Sequence, residues 1–211
     1  RQFQQGKAGQ RMIAVVLHHA NRQGKIYRLA TERDLKVFKE AEKYLEEKRQ
    51  ALFGKCGFDP VPDEPLPPKE TLGFRVQRYG ILKWGDLFNS RQKLALVTFA
   101  EKVREAHEKM LAEGYGEEYV RAVVSYLAFV VSRIPDTNST ICHWDGSWEK
   151  TATTFARQAL PMNWDYIEAN VLGEKGYNFK NILYTISLVL EKISGLSSLI
   201  PNISQASATS L

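Results

Sequence analysis

Basic and aromatic side chains alternate between residues 73 and 93. Five basic residues and one acidic residue fall within residues 71–93. Because guanidinium and ammonium groups neutralise phosphates while aromatic rings stack on nucleobases, this mixture favours nucleic-acid binding. The predicted contacts from this strip are Arg75, Arg78, Lys83 and Arg91. The alternative is that its large apolar residues, such as Trp84, close a hydrophobic core below the start of a helix.

Two polar segments, residues 136–145 and 153–166, hold the other candidate contacts. Asparagine and glutamine amides can form two hydrogen bonds with adenine, and arginine can do the same with guanine or bind phosphate. Asn138, Arg157 and Gln158 are therefore predicted to contact DNA. The competing interpretation is structural, because each helix end leaves four backbone groups that polar side chains can satisfy. The residues alone leave both interpretations open.

A complete catalytic site is not recognisable in the sequence. The patterns GxGxxG, GxxxxGK[S/T], HExxH and GxSxG do not occur. The four histidines lack the spacing of metal ligands, and the only two cysteines, Cys56 and Cys142, belong to no CxxC pair. We therefore expect no catalytic residue, no metal and no cofactor site in this chain. Two free thiols in a reducing cytoplasm are expected, with a single disulfide as the alternative.

The positive charge lies mainly in the first half of the chain. Residues 1–100 carry 19 Lys/Arg against 11 Asp/Glu, a balance of +8, whereas residues 101–211 carry 10 against 13, a balance of −3. Such an asymmetry favours a polyanionic partner, DNA in particular, although a solubilising surface explains it as well. Apolar runs are too short for a bilayer crossing, so no membrane partner is expected.

Hydrophobic periodicity predicts a β-hairpin over residues 11–30 and a helix from Thr31, where the capping-box spacing ends at Asp34. Five prolines between Pro60 and Pro68 predict a stiff extended connection. Further helices are predicted from Asn89 or Ser90 to about residue 114, over residues 116–134 as a buried central helix stopped by a proline, from residue 161 to about residue 169, and from Asn178 to about residue 193.

These elements predict a mainly α protein with a small N-terminal β-hairpin, an α+β arrangement that resembles a helical bundle. Four parts are expected along the chain. They are a hairpin plus helix over residues 1–58, a proline-rich linker over 59–71, a helical domain over 72–196 and a C-terminal tail over 197–211. Because no methionine precedes Met12, we expect a segment of a longer protein.

Several motifs share their order and spacing with one known family. They are Leu72-Gly73-Phe74-Arg75-Val76-Gln77-x-Tyr79-Gly80, Trp84-x-Asp86-Leu87-Phe88-x-x-Arg91-Gln92, Asp136-x-Asn138-Ser139 and Phe155-x-Arg157-Gln158-Ala159-Leu160-Pro161-Met162-x-Trp164-Asp165. Over residues 72–170 the chain resembles adenine-specific DNA methylases of the zinc-ribbon-containing type.

The resemblance implies that this chain is an insertion within a methyltransferase. The loop that binds S-adenosylmethionine would precede it, and the catalytic Asp-Pro-Pro-Tyr motif would follow the stretch Ser207-Ala208-Thr209. In such enzymes the target adenine is flipped out of the duplex for methyl transfer. We expect the insertion to dock DNA or recognise the target, to work with the rest of the methyltransferase chain and to be inactive alone. The alternative is an insertion that braces the core or mediates dimerisation without touching DNA.

Overall fold

The computed structural model describes residues 9–19, 21, 23–68 and 73–195, and the predicted tail over 197–211 lies outside them. Four α-helices, two short 3-10 helices and two antiparallel strand pairs make up the described part. The strands are β1 (Ala14–His18), β2 (Lys25–Leu29), β3 (Trp144–Asp145) and β4 (Lys150–Thr151). The helices are α1 (Glu32–Cys56), α2 (Ser90–Ala112), α3 (Glu117–Thr137) and α4 (Phe179–Ser194), and the 3-10 helices span Val76–Tyr79 and Trp84–Leu87. The predicted mainly helical α+β class is confirmed.

The predicted hairpin forms from β1 and β2, with Ala14 opposite Leu29 and His18 opposite Lys25. The start of α1 is fixed as the capping-box spacing predicts. The carboxylate of Asp34 accepts a hydrogen bond from the backbone N–H of Thr31 at 2.8 Å. Arg28, at the end of β2, donates to both oxygens of the same carboxylate, at 2.6 and 2.9 Å. One charged group therefore joins the hairpin to the first helix.

We expect this junction to make stability depend on pH. The hydrogen bonds from Arg28 and then from Thr31 hold the pKa of Asp34 well below its usual range. Stabilisation is then complete above the ordinary aspartate value of about 3.9 and is lost as pH falls through the lower value in the folded protein. Urea unfolding should show Asp34→Asn less stable than the unmodified chain at pH 7. The difference should shrink toward pH 2, while a matched exposed change on α1, Glu40→Gln, shows no such trend. A difference independent of pH would contradict this role.

Two apolar clusters hold the helices and the irregular segments together. The first lies between α2, α3 and α4 and contains Val130, Ile134, Val171 and Ile182. Phe99 of α2 stacks on Phe179 at the start of α4, with ring centroids 4.8 Å apart. Because α2 contacts both α1 and α3, it is the central element of the helical layer. An ion pair of 2.5 Å between Lys48 and Glu101 also links α1 to α2.

The second cluster is built from residues outside the four α-helices, and two of its members lie in the 3-10 helices. It contains Leu66, Phe74, Val76, Leu87, Ile141 and Leu160. The proline-rich connection reaches it through two backbone hydrogen bonds, from Leu66 N to Leu82 O at 2.8 Å and from Trp84 N to Glu64 O at 3.1 Å. At Gly85 a Cβ atom would lie 2.5 Å from the carbonyl oxygen of Pro62, so only glycine fits there. The segment predicted as a linker thus packs against the following unit, and the domain limits at 58 and 71 stay predictions.

Three local predictions were wrong. The chain stays helical past Pro135 to Thr137, because Thr154 donates hydrogen bonds to the last-turn carbonyls of Pro135 and Asp136. The helix predicted from residue 161 does not form, because backbone pairing of His143 with Tyr166 holds that segment extended. The third is the burial of α3.

Helix α3 was predicted to be buried on nearly all sides, but only one of its sides is buried in the structure. Val120, Val130 and Ile134 are buried, whereas Tyr119 and Phe129 are each 59% exposed. The apolar content of α3 therefore exceeds what the described residues bury. None of the helices within the described ranges combines the length and hydropathy that a bilayer crossing requires.

Candidate nucleic-acid interface

The fold brings the basic strip and the segment around Arg157 together. The backbone N–H of Arg75 donates to the carbonyl of Leu160 at 3.3 Å. The rings of Tyr79 and Trp164 meet edge to face, with centroids 5.2 Å apart. Two segments that are about 80 positions apart in the sequence therefore form one continuous surface. The sequence nominated both segments but gave no indication of their contact.

A groove of about 300 Å³ lies where the two segments meet. It is lined by Phe74, Trp84, Phe155 and residues 157–160. The two buried members, Phe74 and Leu160, belong to the second apolar cluster and form its floor. Trp84 is half-buried and packs against the same cluster, as the structural alternative predicts for it, whereas Phe155 is 48% exposed. The groove is thus apolar at its base and aromatic at its walls.

One arginine lines the groove, and two further basic residues are chain neighbours of its lining. Arg75 and Lys83 are exposed and directly adjoin the lining residues Phe74 and Trp84 in the chain, and Arg157 belongs to the lining itself. No described residue accepts a hydrogen bond from, or forms an ion pair with, the side chains of Arg75, Arg78 or Arg157. Lys83 lies 4.0 Å from the exposed carboxylate of Asp63, an exposed pair that contributes little. The arginine charges are therefore available to an anionic partner.

Arg91 lies in a different environment from the other three predicted basic contacts of the strip. Its Nε donates to a carboxylate oxygen of Glu168 at 2.5 Å, and its guanidinium lies 5.5 Å from the ring centre of Phe38. Because its guanidinium already contacts a carboxylate and an aromatic ring, the charge of Arg91 is compensated within the fold. We therefore do not include Arg91 in the candidate surface.

Asn138 is placed inside the protein, with only 2% of its surface exposed. Its Oδ1 accepts hydrogen bonds from the side chain of Gln92 at 3.2 Å and from the backbone N–H of Ala169 at 3.0 Å. This matches the structural interpretation of the polar segment, in which a buried amide satisfies nearby polar groups. Asn138 is likewise left out of the candidate surface.

The sequence did not identify Gln92 as a key residue, although its spacing offered a signal. Gln92 is fully buried and forms a reciprocal capping box with Asn89, in which each backbone N–H donates to the other's side-chain oxygen at 2.9 Å. Glutamine three residues after an N-cap asparagine is a recognised helix-start pattern. Gln92 therefore links the start of α2 to Asn138, whose Oδ1 also accepts from the backbone N–H of Ala169.

Tyr166 and Glu168 complete this network beside Asn89. The amide of Asn89 donates to Tyr166 Oη at 3.1 Å and to Glu168 Oε2 at 2.8 Å. Burial raises the pKa of the Tyr166 hydroxyl, because it disfavours the phenolate form, so the hydroxyl stays protonated at neutral pH. Its proton is donated to Gln10. The network joins the start of α2 to Tyr166 and Glu168, in the segment that follows the groove lining in the chain.

Buried hydroxyl and thiol groups next to this network lack the partners that catalysis requires. Thr154 Oγ1 lies 2.9 Å from Ser139 Oγ and 3.1 Å from Cys142 Sγ. Within the described residues no histidine or carboxylate hydrogen-bonds to any of the three side chains, so no base is placed to activate a nucleophile. Cys56 and Cys142 are both free thiols.

In the part of the chain that the structure describes, the possible metal ligands are dispersed. No group of three or more His, Cys, Asp or Glu side chains there is arranged to hold a metal ion. The described strands form two antiparallel pairs, and a nucleotide-type cofactor such as S-adenosylmethionine finds no parallel strand, glycine loop and helix of the kind that binds dinucleotides.

Comparison with known proteins adds no further constraint. No protein-family model, no curated protein and no solved structure matches the chain. The resemblance to adenine-specific DNA methylases therefore depends on the motif residues alone.

Proposed function

We propose that this chain is the DNA-docking part of an S-adenosylmethionine-dependent, adenine-specific DNA methyltransferase and that it is inactive alone. One observation carries the docking role. Arg157, an exposed arginine without an acidic partner among the described residues, lines an aromatic groove that two distant segments build together, and the exposed Arg75 and Lys83 are chain neighbours of other lining residues. The assignment to a methyltransferase rests on the resemblance. Other parts of that enzyme would bind the cofactor and contribute the Asp-Pro-Pro-Tyr motif.

Uncompensated arginines on an exposed surface favour DNA for a physical reason. Each phosphate that a basic side chain neutralises releases condensed counterions, and this release supplies most of the free energy of non-specific binding. The logarithm of the affinity falls with the logarithm of the salt concentration with a slope of about −0.9 per phosphate contact. Relative to 1 M salt, one contact therefore contributes a factor of roughly eight to the affinity at 0.1 M salt. Arg91, which Glu168 already neutralises, cannot contribute in the same way without first losing that ion pair.

The rest of the methyltransferase chain is the proposed protein partner. The docking surface would hold the duplex while the reactive groups of the parent act on the flipped adenine. We propose a cytoplasmic location, because both cysteines are free thiols and the DNA substrate of such an enzyme is intracellular. No catalytic residue is assigned to the described part of this chain.

The docking role predicts a specific loss on changing Arg157 to alanine. We expect the affinity for a duplex at 0.1 M salt to fall roughly eight-fold, since one phosphate contact is removed. Arg121→Ala is the matched control, because Arg121 is also exposed but pairs with Glu117 at 2.9 Å on α3, away from the groove lining. Fluorescence anisotropy with a labelled duplex measures both. Equal losses for the two variants would show that only net charge matters and would contradict a localised site.

A second candidate function, bracing or dimerisation of the methyltransferase core, is favoured by a different observation. Tyr119, Tyr126 and Phe129 are exposed along α3. On α4, Val189 and Ile193 are at least half exposed although they continue the helix face that buries Ile182. Exposed apolar surface of this kind commonly marks a protein contact. If the chain binds no duplex even at low salt, this function replaces DNA docking.

A further inference from the structure

We propose that the groove is a subsite for one unpaired nucleobase, stacked against Trp84 and Phe155 with Arg157 on the adjoining phosphate. This inference rests on the proposed function, because it specifies which part of the DNA the docking surface holds. It adds a property that phosphate docking does not require, namely a preference for DNA in which a base is unstacked.

The size and lining of the groove suit a single planar ring. Its volume of about 300 Å³ is at the lower limit of ligand pockets, which span ~300–1,000 Å³. The buried side chains of Phe74 and Leu160 make the floor apolar, while Trp84 and Phe155 expose aromatic surface. A base within a duplex is covered on both faces by its neighbours. Only an unpaired base offers its ring surface to these side chains.

The polar part of the lining matches the edge and the phosphate of a nucleotide. Gln158 is exposed and has no hydrogen-bond partner among the described residues, so its amide can donate to and accept from a base edge. Arg157, next to it in the chain, is equally without a described partner. An apolar peptide side chain would use the floor but would leave this arginine and this amide unpaired, which makes it the poorer occupant.

The positive surroundings complete the argument for a nucleotide. Arg75 adjoins Phe74 in the chain, and its backbone N–H is bonded to Leu160, so two floor residues carry this arginine beside the groove. Lys83 adjoins Trp84 in the chain, so Phe74 and Trp84 each have a basic neighbour in the sequence. A negatively charged backbone entering and leaving the groove would meet positive charge at both places. Charge complementarity therefore favours a nucleic-acid occupant over a neutral one.

The test compares two labelled duplexes of equal length and sequence, one fully paired and one with a single extra thymine in one strand. Fluorescence anisotropy at fixed salt gives both dissociation constants. The unmodified chain should bind the bulged duplex about five- to 150-fold more tightly, which is the gain typical of stacking one base on an aromatic side chain. Phe155→Ala should abolish this preference, so that the variant binds the two duplexes with equal affinity.

A control variant separates stacking from a general loss of exposed aromatic surface. Phe53 on α1 is 57% exposed and does not line the groove, so Phe53→Ala should keep the preference. Equal affinity of the unmodified chain for the two duplexes would overturn the nucleobase subsite and leave DNA docking intact. Binding of the bulged duplex alone would support the subsite and contradict docking of paired DNA. Binding of neither would overturn both.

Discussion

Replacing Arg75, Arg78 and Lys83 together with alanine should weaken duplex binding by roughly 500-fold at 0.1 M salt and reduce the salt slope by about 2.7. The magnitude follows if each side chain neutralises one phosphate, at about 0.9 per contact. All three side chains are exposed, and among the described residues only Lys83 has an acidic neighbour, at 4.0 Å. Binding measured at several salt concentrations gives both quantities from one data set.

A matched variant distinguishes this strip from the general positive charge of the chain. Lys36, Lys39 and Lys43 are exposed on α1, so their replacement with alanine removes the same charge from a helix that has no part in the groove lining. The control should keep nearly the full slope of the unmodified chain. An unchanged slope in the strip variant, or an equal reduction in the control, would count against the strip.

Asn138→Ala should destabilise the fold by about 2–4 kcal/mol, because it leaves the Gln92 amide and the Ala169 backbone N–H without their acceptor. Each buried group that loses its partner costs about 1–3 kcal/mol. The variant that remains folded at low temperature should bind duplex DNA with an unchanged salt slope. Urea unfolding and the same anisotropy titration measure the two effects separately.

The control for this variant is the same substitution at an exposed position. Among the described residues, the exposed side chain of Asn170 accepts one local hydrogen bond, from the backbone N–H of Leu172 at 3.1 Å. Asn170→Ala should therefore change stability by less than about 1 kcal/mol. If Asn138→Ala unfolds no more easily than Asn170→Ala but loses DNA affinity, the sequence prediction that Asn138 contacts DNA is restored and its structural role is wrong.

Local signals in the sequence were sufficient for most of the regular elements. The turn between two apolar runs predicted the β1–β2 hairpin, and the spacing of Thr31 and Asp34 predicted the start of α1. Asn178 begins the last helix through a hydrogen bond to the backbone N–H of Asn181 at 2.9 Å. These features succeed because their partners lie within a few residues along the chain.

Elements that are very short, or that depend on distant partners, were missed. The strand pair β3–β4 has only two residues in each strand, too few for an alternating pattern to stand out. The segment after Pro161 has the composition of a helix start, but its backbone is used in pairing with His143 and in a hydrogen bond from Ile167 to Cys142 at 3.0 Å. Tertiary hydrogen bonds there outweigh the local preference.

The candidate site shows the same limit. Asn138 and Gln158 both carry a side-chain amide, and the sequence analysis predicted a DNA contact for each of them. Burial separates them, since the first is enclosed with Gln92 and the second is exposed at the groove. Arg91 differs from Arg75 in the same way, because only Arg91 meets a carboxylate. Whether such a side chain is buried or paired depends on which distant segments pack together. Local patterns in a single sequence do not show this.

Titration of the unmodified chain with duplex DNA at several salt concentrations tests the proposed docking role most directly. Four exposed basic side chains are the proposed phosphate contacts, namely Arg75, Arg78, Lys83 and Arg157. The account predicts a linear fall of log affinity with log salt concentration, with a slope of about −3 or steeper. Undetectable binding at low salt, or binding that salt does not weaken, would contradict it.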